Sequence, residues 1–455
     1  MSLERPVRVA IVGAGPAGFF TADALLRLDS PRFEVDIFER LPTPFGLVRS
    51  GVAPDHQKIK GVTRTFEKTA KHQRFRFFGN VTIGRDLSHD ELAAHYDQVV
   101  YAVGSSTDRR LGIPGEELMG CHAATAFVGW YNAHPDFRDF PFDLKVERAV
   151  VVGVGNVAID IARVLLRDRG ELARTDIAGL ALAALEASTI HEVVLLARRG
   201  PAQAAFTAVE LEDLTHLASI GVKVDPAQLQ LDAAQLEALD VNSRRNVELM
   251  RKLAANPRET ARTLRLEFLA SPVELLDDGN GRVCGVKVER NELLGDKARG
   301  TGQFFELSAG LVFRSIGYFG EPIAGVPFDA KAGIIPNVEG RVTRTPGGEV
   351  VPHLYAVGWI RRSPIGVIGT NKADGQAVAD RLVEDVAKLP AAPPRPESEM
   401  MALLAQRRIK VTSFHEWAKL DELEVAAGRE KGKVREKFDT VTAMMNELLR
   451  STPSN

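Results

Sequence analysis

Two short glycine words carry most of the chemistry legible in this 455-residue chain. The first, Gly13-Ala-Gly15-Pro16-Ala17-Gly18, ends an apolar run that starts at Arg8 and opens a helix-forming stretch, Ala17 to Leu28. Glycine at 13 allows a tight turn, glycine at 15 lets the backbone approach a pyrophosphate, and glycine at 18 lets helix and strand pack closely. The helix N-terminus then faces the negative charge of an adenine dinucleotide. Glu39, at the end of the next apolar run, Glu34 to Phe38, is placed to accept a ribose hydroxyl pair. The second word, Gly153-Val154-Gly155-Asn156-Val157-Ala158, follows the strand-like Arg148-Ala-Val-Val-Val and opens a second helix. Alanine in its third position still permits close packing. The strand after it, Glu192 to Ala197, ends in Arg198-Arg199 where the first unit ends in an acid. Two guanidinium forks suit a ribose 2'-phosphate; the competing reading is a solvated pair of loop charges.

Other reactive side chains are fewer. His56 closes a proline- and glycine-rich but apolar segment, Leu41 to His56, of the kind held against a large ligand, although a histidine there also reads as structural. Glu210 lies on a helix predicted over Phe206 to Leu217, and the helix predicted over Asn242 to Ala254 has a basic side with Arg244, Arg245, Arg251 and Lys252. Cys121 and Cys284 are far apart, without a Cys-x-x-Cys or a histidine cluster at metal spacing, so no disulfide framework, metal site or redox dithiol is expected. A net charge of -2 gives no general case for nucleic acid or a membrane surface. No apolar run of about eighteen or more residues is present, and the first strand begins almost at once, so a cytoplasmic protein without membrane insertion is expected.

The elements that must position these residues form an α/β protein with two Rossmann-like dinucleotide-binding domains, one inserted into the other. Residues 1–105 and 325–390 make the first domain, 106–324 the second, and 391–455 a stiff Ala391-to-Pro396 linker and a charged helical tail packing on the first. Helix is predicted over Lys58 to Lys71 and strands over Phe75 to Ile83 and Tyr96 to Val103. Leu264 to Phe268, Val283 to Glu289 and Gln303 to Leu307 read as antiparallel strands, and Gly310 to Gly317 returns the chain to the first domain. A last helix through Leu382 opens near Thr370, after Gly358-Trp359 and Gly366-Val367-Ile368.

Longer words make the chain resemble adrenodoxin reductase and the adrenodoxin-reductase-like ferredoxin-NADP reductases over nearly its whole length. They include Pro44-Phe-Gly46-Leu47-Val-Arg49, Gly51-Val-Ala-Pro-Asp-His56, Phe78-Gly-Asn80, Ile113-Pro-Gly-Glu116, Phe127-Val-Gly-Trp-Tyr-Asn132, Arg198-Arg-Gly-Pro201, Ala205-Phe-Thr207 and Gly358-Trp359. Trp359 stands where the broader flavoprotein class commonly has Asp, as in the adrenodoxin reductase branch. The resemblance implies a glutathione reductase-like architecture with FAD in the first domain and NADP(H) in the inserted one, and a hydride passing to FAD before single electrons leave to a ferredoxin. It implies FAD contacts at Gly13, Gly15, Pro16, Ala17, Gly18, Glu39, Gly46, Leu47, Ile83, Gly104, Gly358, Trp359, Gly366, Val367 and Ile368. NADP contacts would fall to Gly153, Val154, Gly155, Asn156, Val157, Arg198, Arg199, Glu210 and Gly366. His56 and Glu210 would orient the reacting rings, Arg244 and Arg245 would meet the iron-sulfur partner, and a monomer is expected. A dithiol reductase and a glutamate-synthase-type small subunit share the nucleotide folds but need cysteines this chain lacks. A flavoprotein that only senses the NADPH pool stays as the alternative.

Overall fold

The computed structural model describes residues 5–450; residues 1–4 and 451–455, the outer ends of the first and last predicted segments, lie outside it. Val7–Val12 is buried on both faces, as the middle strand of a covered parallel sheet must be. Phe33–Glu39 and then Phe75–Gly79 pair parallel on one side of it, and Gln98–Tyr101 and Val350–Ala356 on the other. Arg341–Thr343 and Asn337–Val338 complete the seven-stranded sheet as an antiparallel edge. One face carries the helices Pro16–Leu26 and Thr370–Asp385, which bury Phe19, Leu25, Val378 and Leu382.

The second sheet has six strands in the order Cys121–Ala123, Leu311–Arg314, Arg148–Val152, Glu192–Leu196, Arg262–Glu267 and Ile220–Val224, all parallel. This corrects the antiparallel reading of Leu264 to Phe268. The helix Val241–Ala255 carries the chain from Ile220–Val224, a strand not foreseen in the sequence, back over the sheet, and a crossover of that kind makes successive strands parallel. Ala270–Asp277, Val283–Leu294 and Lys297–Ser308 do form an antiparallel sheet. Its Leu275, Val286, Val288 and Leu307 cover Val150, Val152 and Val194 on the second sheet.

Two further boundaries differ from expectation. The helix predicted over Lys58 to Lys71 is two pieces, Gln57–Lys60 and Thr63–Ala70, interrupted at Gly61 and Val62. Leu311–Arg314 still belongs to the second sheet; the return comes at Tyr318–Phe319, which pairs antiparallel with Thr107–Asp108. The chain thus leaves and re-enters the first sheet through one two-stranded ribbon, and one nucleotide fold is inserted into the other.

The tail helices Glu397–Gln406, Phe414–Glu430 and Val441–Arg450 cover both faces of the first sheet, through Met400 and Leu404 on one side and Trp417, Leu420, Met444 and Leu448 on the other. Thr412 and Gly79 exchange backbone hydrogen bonds of 2.8 and 2.9 Å, which closes the exposed edge of Phe75–Gly79. The tail also reaches the inserted unit. Lys437 and Lys60 approach Asp176 at 3.0 and 2.7 Å, and Arg49 approaches Glu424 at 2.5 Å. These buried pairs tie the stretch from Arg49 to Lys60 to both tail and insert. Among the described residues no helix is long and apolar enough to cross a membrane.

Candidate active site

At the first glycine word the three glycines have three separate duties. Gly13 has φ +110°, and a Cβ there would lie 2.5 Å from the Ala102 carbonyl oxygen; a Cβ on Gly18 would lie 2.2 Å from that of Gly13. Gly15 is different, for its Cβ would meet nothing within 4 Å. That open side is where backbone can approach a pyrophosphate, with Pro16 at the first turn of the following helix. Glu39 is half-buried beside it, accepting the Ala14 N–H at 3.0 Å and the Leu41 N–H at 3.2 Å. Burial raises its pKa, against those N–H bonds that favour the ionised form.

The Leu41-to-His56 segment is drawn onto this turn. Phe45, at φ 83°, donates its N–H to Ala14 O at 2.9 Å, and a Cβ on Gly46 would come within 2.9 Å of Gly15 Cα. The phenyl ring of Phe45 packs among Phe19, Phe66 and Trp417, which holds the strained backbone in place. Leu47 follows on a four-residue helix, 46% exposed, and Ile83 is buried. Gly104, at φ +73°, has open space at its Cβ position like Gly15. From the far end of the sheet, Gly358 sits over Ala17, with a virtual Cβ 2.7 Å from the Ala17 methyl, and donates its N–H to Asp374 at 2.6 Å. Trp359 stacks on Tyr318 at 6.1 Å, and its indole N–H is buried without an acceptor. Gly366, Val367 and Ile368 lead into the N-terminus of Thr370–Asp385, with Val367 54% exposed. Open space over Gly15 and Gly104, together with a buried donor lacking an acceptor, fits a cofactor laid across these strand ends.

The second glycine word repeats the geometry. Gly153 has φ +132° and a virtual Cβ 2.1 Å from Ser315 O, Gly155 opens on empty space, and Ala158 is fully buried. Val154 O accepts the N–H groups of Ala205 and Phe206 at 2.9 and 3.0 Å, and Asn156 Oδ1 accepts that of Thr207 at 2.8 Å. Arg198 is exposed and Arg199 half-buried; among the described residues only their backbone carbonyls are engaged, by Asn291 at 2.8 Å and Leu269 at 3.1 Å. Both guanidinium forks stand free, whereas the carboxylate of Glu39 is tied to backbone.

Between the two sites lies a charged cluster that sequence reading found only in part. His56 Nε2 stands 3.7 Å from Glu210 Oε2, so the two predicted residues do meet. They are organised by Arg163, which is 1% exposed. Its guanidinium donates to Asp55 at 2.7 and 3.2 Å, to Asp160 at 2.5 Å and to Glu210 at 3.4 Å, and Arg167 adds a bond to Asp55 at 2.6 Å. Arg163 rides on the helix that follows the second glycine word, and Asp55 on the segment held by the first. The only sequence sign of this clamp is an arginine on the apolar face of Asn156–Leu166.

His56 and Glu210 are both shifted toward their neutral forms. Burial, reinforced by Asp160, pushes Glu210 up to about 7, against the pull of Arg163. Burial and then the Arg163 charge push His56 below the ordinary histidine value. Both shifts favour the neutral forms, so at 3.7 Å the two side chains are neighbours and not a fixed ion pair. Asp55 behaves oppositely: burial would raise it, but Arg163 and Arg167 overcome this and hold it at about 2. One atom each of His56, Glu210 and Asp213 lie within 4.8 Å of one another. The Arg163 guanidinium, donating to Glu210 at 3.4 Å, already places one positive charge against that grouping.

On the outer helix the basic side is largely occupied. Arg244 donates to the carbonyls of Leu236 at 3.2 Å and Glu237 at 2.8 Å, closing the end of the preceding helix, Arg251 donates to Leu229 and Leu231, and Arg245 pairs with Glu212.

Residues 7–226 match the pyridine nucleotide-disulphide oxidoreductase family. The chain is similar to the NADPH-ferredoxin reductase FprA of Mycobacterium tuberculosis, 45% identical over 463 residues that span 98% of this chain and 99% of that one. It is also similar to the mitochondrial NADPH:adrenodoxin oxidoreductase of Arabidopsis thaliana, 42% identical over 96% of this chain and 94% of the relative. The solved structure of Mycobacterium tuberculosis FprA in complex with NADPH matches with a TM-score of 0.93 at 44% identity, covering 98% of this chain and 100% of that one.

Proposed function

Because the chain belongs to the family of NADPH-ferredoxin reductases and NADPH:adrenodoxin oxidoreductases, we propose that it passes reducing equivalents from NADPH through bound FAD to a ferredoxin. The observation that carries the reading is the pair of similarly built glycine turns, one beside a half-buried carboxylate and the other beside two free guanidinium groups, with His56 and Glu210 between them. FAD, when bound, supplies the step no side chain can perform, accepting two electrons as a hydride and releasing them singly. The protein binds, orients and sets charge.

In this reading the first turn and Glu39 hold the adenosine and pyrophosphate of FAD, while Trp359 and the backbone of Gly366 to Ile368 meet its ring end. The second turn holds the NADPH pyrophosphate, and Arg198 and Arg199 hold its 2'-phosphate. Glu210 and His56 border the nicotinamide, where an ionised Glu210 favours the positive charge that develops as hydride leaves. Since Glu210 titrates at about 7, flavin reduction by NADPH is expected to speed up as pH rises through that value, and Glu210→Gln should remove this inflection. Stopped-flow reduction across pH checks it.

The proposed division is 1–105 with 325–390, 106–324, and 391–455, supported by the single ribbon through which the chain crosses. A cytoplasmic monomer is part of the proposal, and free Cys121 and Cys284 suit a reducing compartment. The deciding experiment is anaerobic mixing with NADPH followed by a ferredoxin. Bleaching of the flavin and then ferredoxin reduction is expected; a flavin that stays oxidised would favour a sensor. For the acceptor face, Arg245→Glu should lower the ratio of ferredoxin to ferricyanide turnover several-fold at low salt. The effect should fade toward 1 M salt, where the Debye length is about 3 Å. A ratio that does not move would place docking elsewhere.

A further inference from the structure

The helix Ala208–Thr215 begins with Thr207-Ala-Val-Glu210, the pattern of a capping box. In that motif the threonine hydroxyl takes the backbone N–H three residues on, and the glutamate reaches back to the threonine N–H. The chain makes this reciprocal cap in full at Ser88 with Glu91, at Asp232 with Gln235 and at Ser413 with Glu416. At Thr207 no side-chain cap is made. The Thr207 N–H, which the glutamate would take, is held by Asn156 Oδ1 at 2.8 Å, and the next one, of Ala208, by Asn242 Oδ1 at 2.9 Å. Asn242 and Asn246, one turn apart on Val241–Ala255, also donate to Phe206 O at 3.2 and 2.9 Å. Glu210 is left to point the other way, toward His56 at 3.7 Å and Arg163 at 3.4 Å.

We propose that Asn156, assisted by Asn242, is a positioning residue for Glu210: by occupying the N–H groups of Thr207 and Ala208 it displaces Glu210 from the reciprocal cap and frees the carboxyl group to face His56. Asn156 is the first residue of the helix that follows the second glycine word, so the turn that binds pyrophosphate and the acid beside the nicotinamide are joined by one side chain. This role is additional to any contact of Asn156 with the nucleotide. It rests on the reading that Glu210 borders the nicotinamide.

The groups that set the ionisation of Glu210 are His56 from the Leu41-to-His56 segment, Arg163 and Asp160 from Asn156–Leu166, and Asp213 from its own helix. A Glu210 recaptured by its own helix would leave both the burial and acids that raise its pKa and the Arg163 bond that lowers it; because their net effect is upward, and because it would accept an N–H at a helix N-terminus, it would become easier to ionise.

The test is an infrared pH titration of the nucleotide-free FAD enzyme, following the protonated-carboxyl band that Glu210→Gln removes, paired with stopped-flow reduction by NADPH. Asn156→Ala is expected to lower the Glu210 midpoint by about one pH unit or more and to slow flavin reduction about tenfold at saturating NADPH. Asn156→Asp keeps an acceptor for the Thr207 N–H, so it should retain the midpoint while weakening NADPH binding through repulsion of the pyrophosphate. Asn242→Ala should shift the midpoint the same way by a smaller amount, which keeps the test open if Asn156→Ala does not fold. An unchanged midpoint in the alanine variants, or one equally displaced in Asn156→Asp, overturns the positioning role. If instead Glu210→Gln leaves the pH dependence of flavin reduction untouched, the placement of Glu210 at the nicotinamide is what fails.

Discussion

Replacing Arg198 and Arg199 together by alanine is expected to lower kcat/KM for NADPH by a factor on the order of a hundred or more and to leave that for NADH nearly unchanged. The coenzymes differ only by the 2'-phosphate, so discrimination must come from groups that reach that ribose. A charge-assisted contact contributes about 1.5 to 3 kcal/mol, and about 1.4 kcal/mol is tenfold, so two such contacts supply the preference. The structure strengthens the expectation, because neither guanidinium has a hydrogen-bond or ion-pair partner among the described residues, whereas Arg244 donates to main-chain carbonyls and Arg245 pairs with Glu212. The effect should fall on KM and spare kcat, since binding remote from the reacting carbon acts alike on ground and transition states. Arg198→Glu should go further, repelling the phosphate and accepting the free hydroxyls of NADH. An unchanged NADPH to NADH ratio in the double variant would make the arginines a solvated pair and send the preference elsewhere.

Glu39→Ala should yield a folded protein that loses FAD on dilution. In the proposed function the carboxylate does two things at once: it binds the FAD ribose, and it accepts the Ala14 and Leu41 N–H groups at 3.0 and 3.2 Å, pinning the glycine turn to the second strand. Truncation removes charge-assisted ribose bonds of about 1.5 to 3 kcal/mol and leaves two buried N–H groups without an acceptor, each costing about 1 to 3 kcal/mol. Flavin affinity should therefore fall by roughly a hundredfold or more. Glu39→Gln keeps one acceptor oxygen for the backbone, so it should lose less. Flavin fluorescence released on serial dilution measures both, and full occupancy of Glu39→Ala after extensive dialysis would remove Glu39 from the site.

The charged cluster draws on both halves of the chain. Asp55 and Arg163 are 108 residues apart in sequence and fully engaged with each other. Their pairing sets the distance between the segment carrying His56 and the unit carrying Glu210. A buried charge left alone is costly, so neither member can be removed without the other becoming a liability. The same logic applies to Asp176, shared by Lys60 and Lys437, which brings the tail into the inter-unit contact.

What the sequence determined by itself was local. A strand, a glycine turn and a helix follow one another within a few residues, so Gly13 to Gly18 and Gly153 to Ala158 declare both nucleotide folds. Glu39 and Arg198-Arg199 mark a difference between them at the end of the second strand, the position that the proposed function assigns to the ribose in each fold. Only the tertiary structure decided the rest. Arg262–Glu267 became parallel because a helix brings the chain back over the sheet, a matter of connection and not of strand composition. Glu210 reads in sequence as half of a capping box and turns instead to His56 because Asn156, 51 residues away, reaches the Thr207 N–H first. Arg244 is a basic surface residue in sequence and the cap of a neighbouring helix in space. Periodicity and turn chemistry are set by neighbours along the chain, whereas the partner of a buried charge or an unpaired N–H is chosen by whichever distant group the packing brings within about 3 Å.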